Sequence, residues 1–175
     1  RFDLRALDGT ESGRTLSTFT FPYSSGKVGV REVEISPDAR RGVVTTDRRE
    51  LHLFDLTVAQ ALTVSVIKLE SRFAQMTFSA DSSMMAVNTS RPERETGSVV
   101  SLWSLADGSK IASFTTEQRV ARLEFSPDSH HIAWGGSVGQ LMGAAVRIHR
   151  CADGSPATPF LPHRGDIADI EFSPD

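Results

Sequence analysis

Several things are scarce in this chain, and each scarcity removes a class of explanation. Cys151 is the only cysteine, so no disulfide forms within the chain and nothing points to an oxidising compartment. The apolar runs are far too short to cross a bilayer as helices. The formal net charge is only −3, which gives no electrostatic reason to expect nucleic acid or an anionic membrane. No signal peptide opens the chain. The start at Arg1-Phe2-Asp3-Leu4 reads as the inside of a strand, so that lack excludes little. No stretch carries a convincing 3.6-residue period, so almost no helix is expected.

Motifs for chemistry are equally sparse. Gly135-Gly136-Ser137-Val138-Gly139 matches the Gly-x-Ser-x-Gly pattern of serine hydrolases. That pattern works only as a strained strand-to-helix elbow with a His and an acid nearby. Here it falls between two short strands and reads as an inter-strand loop. His130, His131, His149 and His163 lack any metal-ligand spacing. Ser25-Gly26-Lys27-Val28 lacks the rest of a phosphate loop, and no sialidase box is present. Asn88-Thr89-Ser90 matches a glycosylation acceptor, a short match with no secretion signal behind it. No cofactor, metal or catalytic residue is expected. Trp103 and Trp134 fall at alternating apolar positions and read as core.

What the chain does have is a repeat. Val30–Asp38, Phe73–Asp81, Val120–Asp128 and Ile167–Asp175 align, with starts 43, 47 and 47 residues apart. Within them Val33 and Ile35, Met76 and Phe78, Leu123 and Phe125, and Ile170 and Phe172 share a face. Glu34, Thr77, Glu124 and Glu171 stand between them, and a period of two means a strand with one packed face. The Ser-Pro-Asp or Ser-Ala-Asp that follows is a turn, with Ala39, Ser82 or Ser129 next, where turns of this type often need glycine. Further strands follow at 42–45, 84–87 and 131–134, then at 51–55, 100–104 and 146–150. Asp107-Gly108 and Asp153-Gly154 signal hairpins, and 110–114 reads as a fourth strand.

Four short strands in a unit of about 43 residues is the period of a propeller blade. The chain resembles the WD40 repeat family. The resemblance rests on the Phe-Ser-Pro-Asp strand ends, on Leu102-Trp103-Ser104, on Phe54-Asp55 where the family has Trp-Asp, and on His163-Arg164-Gly165 near its Gly-His place. It departs from the family in its polar staples. His149 replaces the Trp of one unit, and only Asp47 fills the Asp position.

The expected fold is therefore all-β, a WD40-like β-propeller fragment of about three full four-stranded blades plus partial blades at both ends. Residues 1–27 read as the last two strands of one blade, 28–72, 73–119 and 120–166 as full blades, and 167–175 as the first strand of a further one. A bare blade face loses about 5–9 kcal/mol of burial against a total stability of about 5–15 kcal/mol. The piece alone is therefore expected to be marginally stable or to bury its open ends by self-association.

The resemblance implies a non-catalytic scaffold that binds protein partners, not nucleic acid or membrane. The alternative is a regulatory or sensory propeller domain of a larger enzyme, such as a bacterial Ser/Thr kinase or a peptidase. In such propellers the loops between second and third strands share one face with the blade-to-blade connections. On this chain that face would carry Tyr23, Asp47, Arg48, Arg49, Arg72, Arg91, Arg94, Arg119, Met142, His163 and Arg164. Residues 90–98 and 135–143 are the longest expected loops.

Overall fold

The computed structural model describes residues 2–5, 15–19, 28–58, 62–90, 97–137 and 143–174. Among the described residues there is no helix, and three four-stranded antiparallel sheets carry the fold. The chain divides into two compact units, Arg1–Lys68 and Leu69–Asp175.

The first unit holds a two-stranded pair, β1 (Phe2–Arg5) and β2 (Thr15–Phe19), and a four-stranded sheet. That sheet runs in chain order through β3 (Val30–Ile35), β4 (Arg41–Thr46), β5 (Glu50–Asp55) and β6 (Leu62–Lys68). The second unit holds two such sheets. One is β7 (Phe73–Phe78), β8 (Met84–Ser90), β9 (Ser98–Ser104) and β10 (Lys110–Thr116). The other is β11 (Arg119–Phe125), β12 (His131–Ser137), β13 (Ala144–Arg150) and the short β14 (Leu161–His163). Each first strand carries a bulge at the same place, at Val30/Glu32, Phe73/Gln75 and Val120/Arg122.

The turn after each first strand is built the same way three times. Ser36 Oγ donates to Asp38 Oδ1 at 2.6 Å, Ser79 Oγ to Asp81 Oδ1 at 2.6 Å, and Ser126 Oγ to Asp128 Oδ1 at 2.5 Å. The same hydroxyls accept from Arg41 N, Met84 N and His131 N, the first backbone donors of the second strands. Burial pushes the Asp81 carboxyl up. Hydrogen bonds from Ser79, Ser83 and Ser129 overcome this and hold it at about 2.

Ala39, Ser82 and Ser129 take φ of 58°, 58° and 61°. All three stand in the left-handed region that favours glycine. Ala39→Gly is therefore expected to stabilise the first unit by about 1 kcal/mol, the left-handed cost of one Cβ less the added freedom of the unfolded chain. A higher urea midpoint at unchanged slope checks it. An unchanged or lower midpoint would show that the alanine is not strained there.

The core of the second unit lies between its two sheets. Ala86, Val100, Leu102, Ala112 and Phe114 from β8–β10 meet Leu123, Phe125, Ile132 and Trp134 from β11 and β12, with Cys151 beside them. Met76 and Phe78 are half-buried. In β3 the expected alternation is reversed. Val33 is 43% and Ile35 36% exposed, while Glu32 and Glu34 are half-buried. Burial of this face comes from a neighbouring sheet rather than from the strand. β11 has the sheet β7–β10 against its Leu123 and Phe125, and both are buried.

Two further expectations change. The strand expected at 131–134 continues through Gly135 and Gly136 to Ser137, pairing with Val146, Ala145 and Ala144. Residues 167–174 form no strand, because among the described residues none pairs with them. Ile167 and Ile170 instead lie over Gly135, 2.9 and 2.7 Å from where a Cβ would stand. The absent side chain gives them their seat.

Candidate interaction surface

Antiparallel order places the described candidates of each sheet at one end of that sheet. In each sheet the start of the first strand, the loop between second and third strands, and the end of the fourth strand fall at one end. The register shows this in the first sheet, where Val30 is opposite Thr46 and Glu50 opposite Lys68. It shows it again in the others: Phe73 is opposite Thr89 and Ser98 opposite Thr116, while Arg119 is opposite Ser137 and Ala144 opposite His163.

Asp47, Arg48 and Arg49 form the exposed hairpin loop between β4 and β5. Arg49 is left-handed at φ 61°, and its N–H donates to the Thr46 carbonyl. Asp47 N donates to the Gly29 carbonyl at 2.9 Å, so this loop also pins the chain entering β3. Its carboxylate leans over Gly29, with Oδ2 2.9 Å from where a Cβ would stand.

In the second unit, exposed Arg72, Arg119, His163 and Arg164 stand at the corresponding ends of both sheets. Arg72 turns its carbonyl to Ser90 N at 3.0 Å, leaving the side chain outward. Tyr23, Arg91, Arg94 and Met142 lie outside the described residues.

Beneath these residues a polar layer ties the two sheets of the second unit. Val120 N donates to Ser98 Oγ at 3.1 Å, and Asn88 Nδ2 to the Val120 carbonyl at 3.4 Å. Thr116 Oγ1 donates to the Gln118 carbonyl at 2.6 Å. All four side chains are buried, and Asn88 at 1% exposure is inaccessible as a glycosylation acceptor in the folded chain. Gly97 and Gly136 let backbone close in. A Cβ on them would stand 2.0 Å from the Thr116 oxygen and 2.2 Å from the Arg119 oxygen, respectively. Sequence reading missed this layer. The polar Asn88 at the end of the Met-Met-Ala-Val run is the one local hint of it.

The chemical candidates fall elsewhere. Ser137 is the last residue of β12, where it pairs with Ala144, and Val138 and Gly139 lie outside the described residues. His130 sits in a turn, its Nδ1 2.7 Å from the Asp128 carbonyl oxygen. Among the described residues no three His, Cys, Asp or Glu side chains converge so as to hold a metal ion. Burial, with Asp128 and Asp81 nearby, pushes the Cys151 thiol up to about 12, which keeps it protonated and poorly nucleophilic. Trp134 is core. Trp103 is half-buried, with Lys110 Nζ 4.9 Å above its ring. His52, which the sequence did not single out, is 1% exposed, and its Nε2 lies 3.5 Å from Glu50 Oε2.

No family model matches the chain, and no curated protein matches it. A solved structure described as a eukaryotic initiation factor superposes with a TM-score of 0.64 at 17% identity, over 79% of this chain and 34% of that one. The chain thus spans about a third of that protein's length. The likeness is one of fold.

Proposed function

We propose that this chain is part of a WD40-type β-propeller that binds a protein partner through the loop end of its sheets and performs no catalysis itself. The observation carrying this reading is the shared register. It sets exposed Arg72, Arg119, His163 and Arg164 at one end of two sheets that the Ser98, Thr116, Asn88 and Gln118 layer holds together. Loops on a rigid base are where binding residues concentrate. Arginine is a frequent interface anchor because it joins a long contact surface to directional bonding. The Asp47–Arg49 hairpin offers the same chemistry at the equivalent end of its own sheet.

The reading is tested with two charge-reversed variants compared side by side. One carries Arg72→Glu, Arg119→Glu and Arg164→Glu. The other carries Asp107→Arg and Asp153→Arg at the opposite sheet ends, where both carboxylates are exposed. Proteins captured by the wild type are quantified on each. Retention is expected to fall at least tenfold on the first variant and to persist on the second. Equal retention on all three, or loss confined to the second, would sink the proposal.

A further inference from the structure

His149 lies on β13 opposite Ile132 of β12 and faces Phe114 in the apolar seam between the two sheets of the second unit. It is 5% exposed. Its ring lies flat on Phe114 of β10, with centroids 3.8 Å apart and planes 12° from parallel. Nδ1 is 2.8 Å from the Gly154 carbonyl oxygen. A carbonyl only accepts, so Nδ1 must carry the proton and Nε2 must be bare. Nε2 is buried and has no hydrogen-bond partner. One ring thus touches both sheets and the 151–156 turn, in a single tautomer, with its second nitrogen facing no acceptor.

We propose that His149 makes this seam a proton-operated latch, closed while the ring is neutral and loosened when Nε2 takes a proton. A new N–H at Nε2 would be buried without an acceptor, a cost comparable to leaving any buried donor unmade. The surroundings offer the cation little. Arg147 on the same strand is the charge acting on the ring, and it repels a proton. β12 presents Ile132 opposite, beside half-exposed His131. The following turn presents Pro156 and the Gly154 carbonyl. Its Asp153 is exposed and bonded to Ser155 N, and Arg150 is exposed and bonded to the Pro156 carbonyl. From β10 comes Phe114, whose ring face attracts a cation but accepts no N–H here, while Lys110 is turned over Trp103. The Cys151 thiol in the same core is neutral.

Burial lowers the His149 pKa from 6.5, the Arg147 charge adds to this, and only the Gly154 bond opposes it. The sign follows. With the folded value depressed, the seam is fully held above about 6.5 and loses protection as pH falls below it.

Amide hydrogen exchange of β10 and β13, corrected for intrinsic rates, reads the latch. Wild-type protection is expected to fall about tenfold per pH unit below 6.5 until the ring's own folded value is reached. His149→Gln keeps a donor for Gly154 and cannot be protonated, and His149→Phe keeps the stack. Both are expected to be flat over this range. The amides of β5, beside the second buried imidazole His52, serve as the internal comparison and should respond alike in all three proteins. Nuclear magnetic resonance titration of the wild-type ring reads it without any substitution. A His149 ring titrating at 6.5 or above, or a slope at β10 and β13 that survives both substitutions, would overturn the proposal.

Discussion

Gly97→Ala is expected to remove about 4 kcal/mol from the second unit. Gly97 has φ of 112°, a region costly for any residue with a side chain. Holding a non-glycine residue in such a region costs about 1–3 kcal/mol. The added methyl would also stand 2.0 Å from the Thr116 oxygen and 3.1 Å from the carbonyl carbons of Thr116 and Glu117. These are backbone atoms and cannot swing aside as a side-chain tip would. Thr116 is moreover tied through its hydroxyl to Gln118 and to Ser98 N. Overpacking of this kind costs a further 1–3 kcal/mol or about that. Since a domain's whole stability is about 5–15 kcal/mol, the variant should populate unfolded chain under mild conditions. Urea unfolding measures it against Gly165→Ala, where an added Cβ meets nothing within 4 Å and the midpoint should hardly move. Equal midpoints for the two alanine variants would mean that the close approach at Gly97 is absent in solution.

Nothing local marked Gly97, because its close contacts come from Thr116 and Glu117, beyond the following strand. The repeat, the strand-turn-strand grammar and the left-handed residues after each Ser-Pro-Asp or Ser-Ala-Asp were readable, because each is dictated by side chains within a few positions of one another. That Arg72, Arg119 and His163 fall at strand ends followed from the strand limits alone, since antiparallel order fixes which ends of a sheet lie together. The misreadings share one cause. Gly135 and Gly136 look locally like a loop, yet they are strand positions whose bareness serves Ile167, Ile170 and the Arg119 carbonyl, all distant in sequence. Val33 and Ile35 repeat the pattern of Leu123 and Phe125, but a strand's pattern says which side chains share a face and not whether another sheet covers it. Residues 167–174 have strand composition and no strand, because pairing belongs to two segments and only one is read at a time. His149 and Asn88 are buried polar groups whose partners come from another strand or turn, and such partners leave no trace in local spacing.

Trp134→Ala is expected to cost about 3–5 kcal/mol, the usual loss for emptying a large buried aromatic site. The ring is 1% exposed and packs in the seam with Leu102, Phe114, Leu123 and Ile132, with Phe160 set edge-on 6.1 Å away. β12 is an interior strand of its sheet, paired on both sides, so neighbours cannot collapse far into the void. Trp134→Phe should behave quite differently. The indole Nε1–H is buried with no hydrogen-bond partner, and an unpaired buried donor costs about 1–3 kcal/mol. Phenylalanine gives up ring volume but also deletes that donor, and the two effects largely offset each other. The expected net loss is about 1 kcal/mol or less, well below that of alanine. Urea midpoints of the two variants decide the matter. If phenylalanine proves nearly as destabilising as alanine, then the indole N–H does find an acceptor in solution. The seam would then be held by a polar contact at Trp134 as well as by packing.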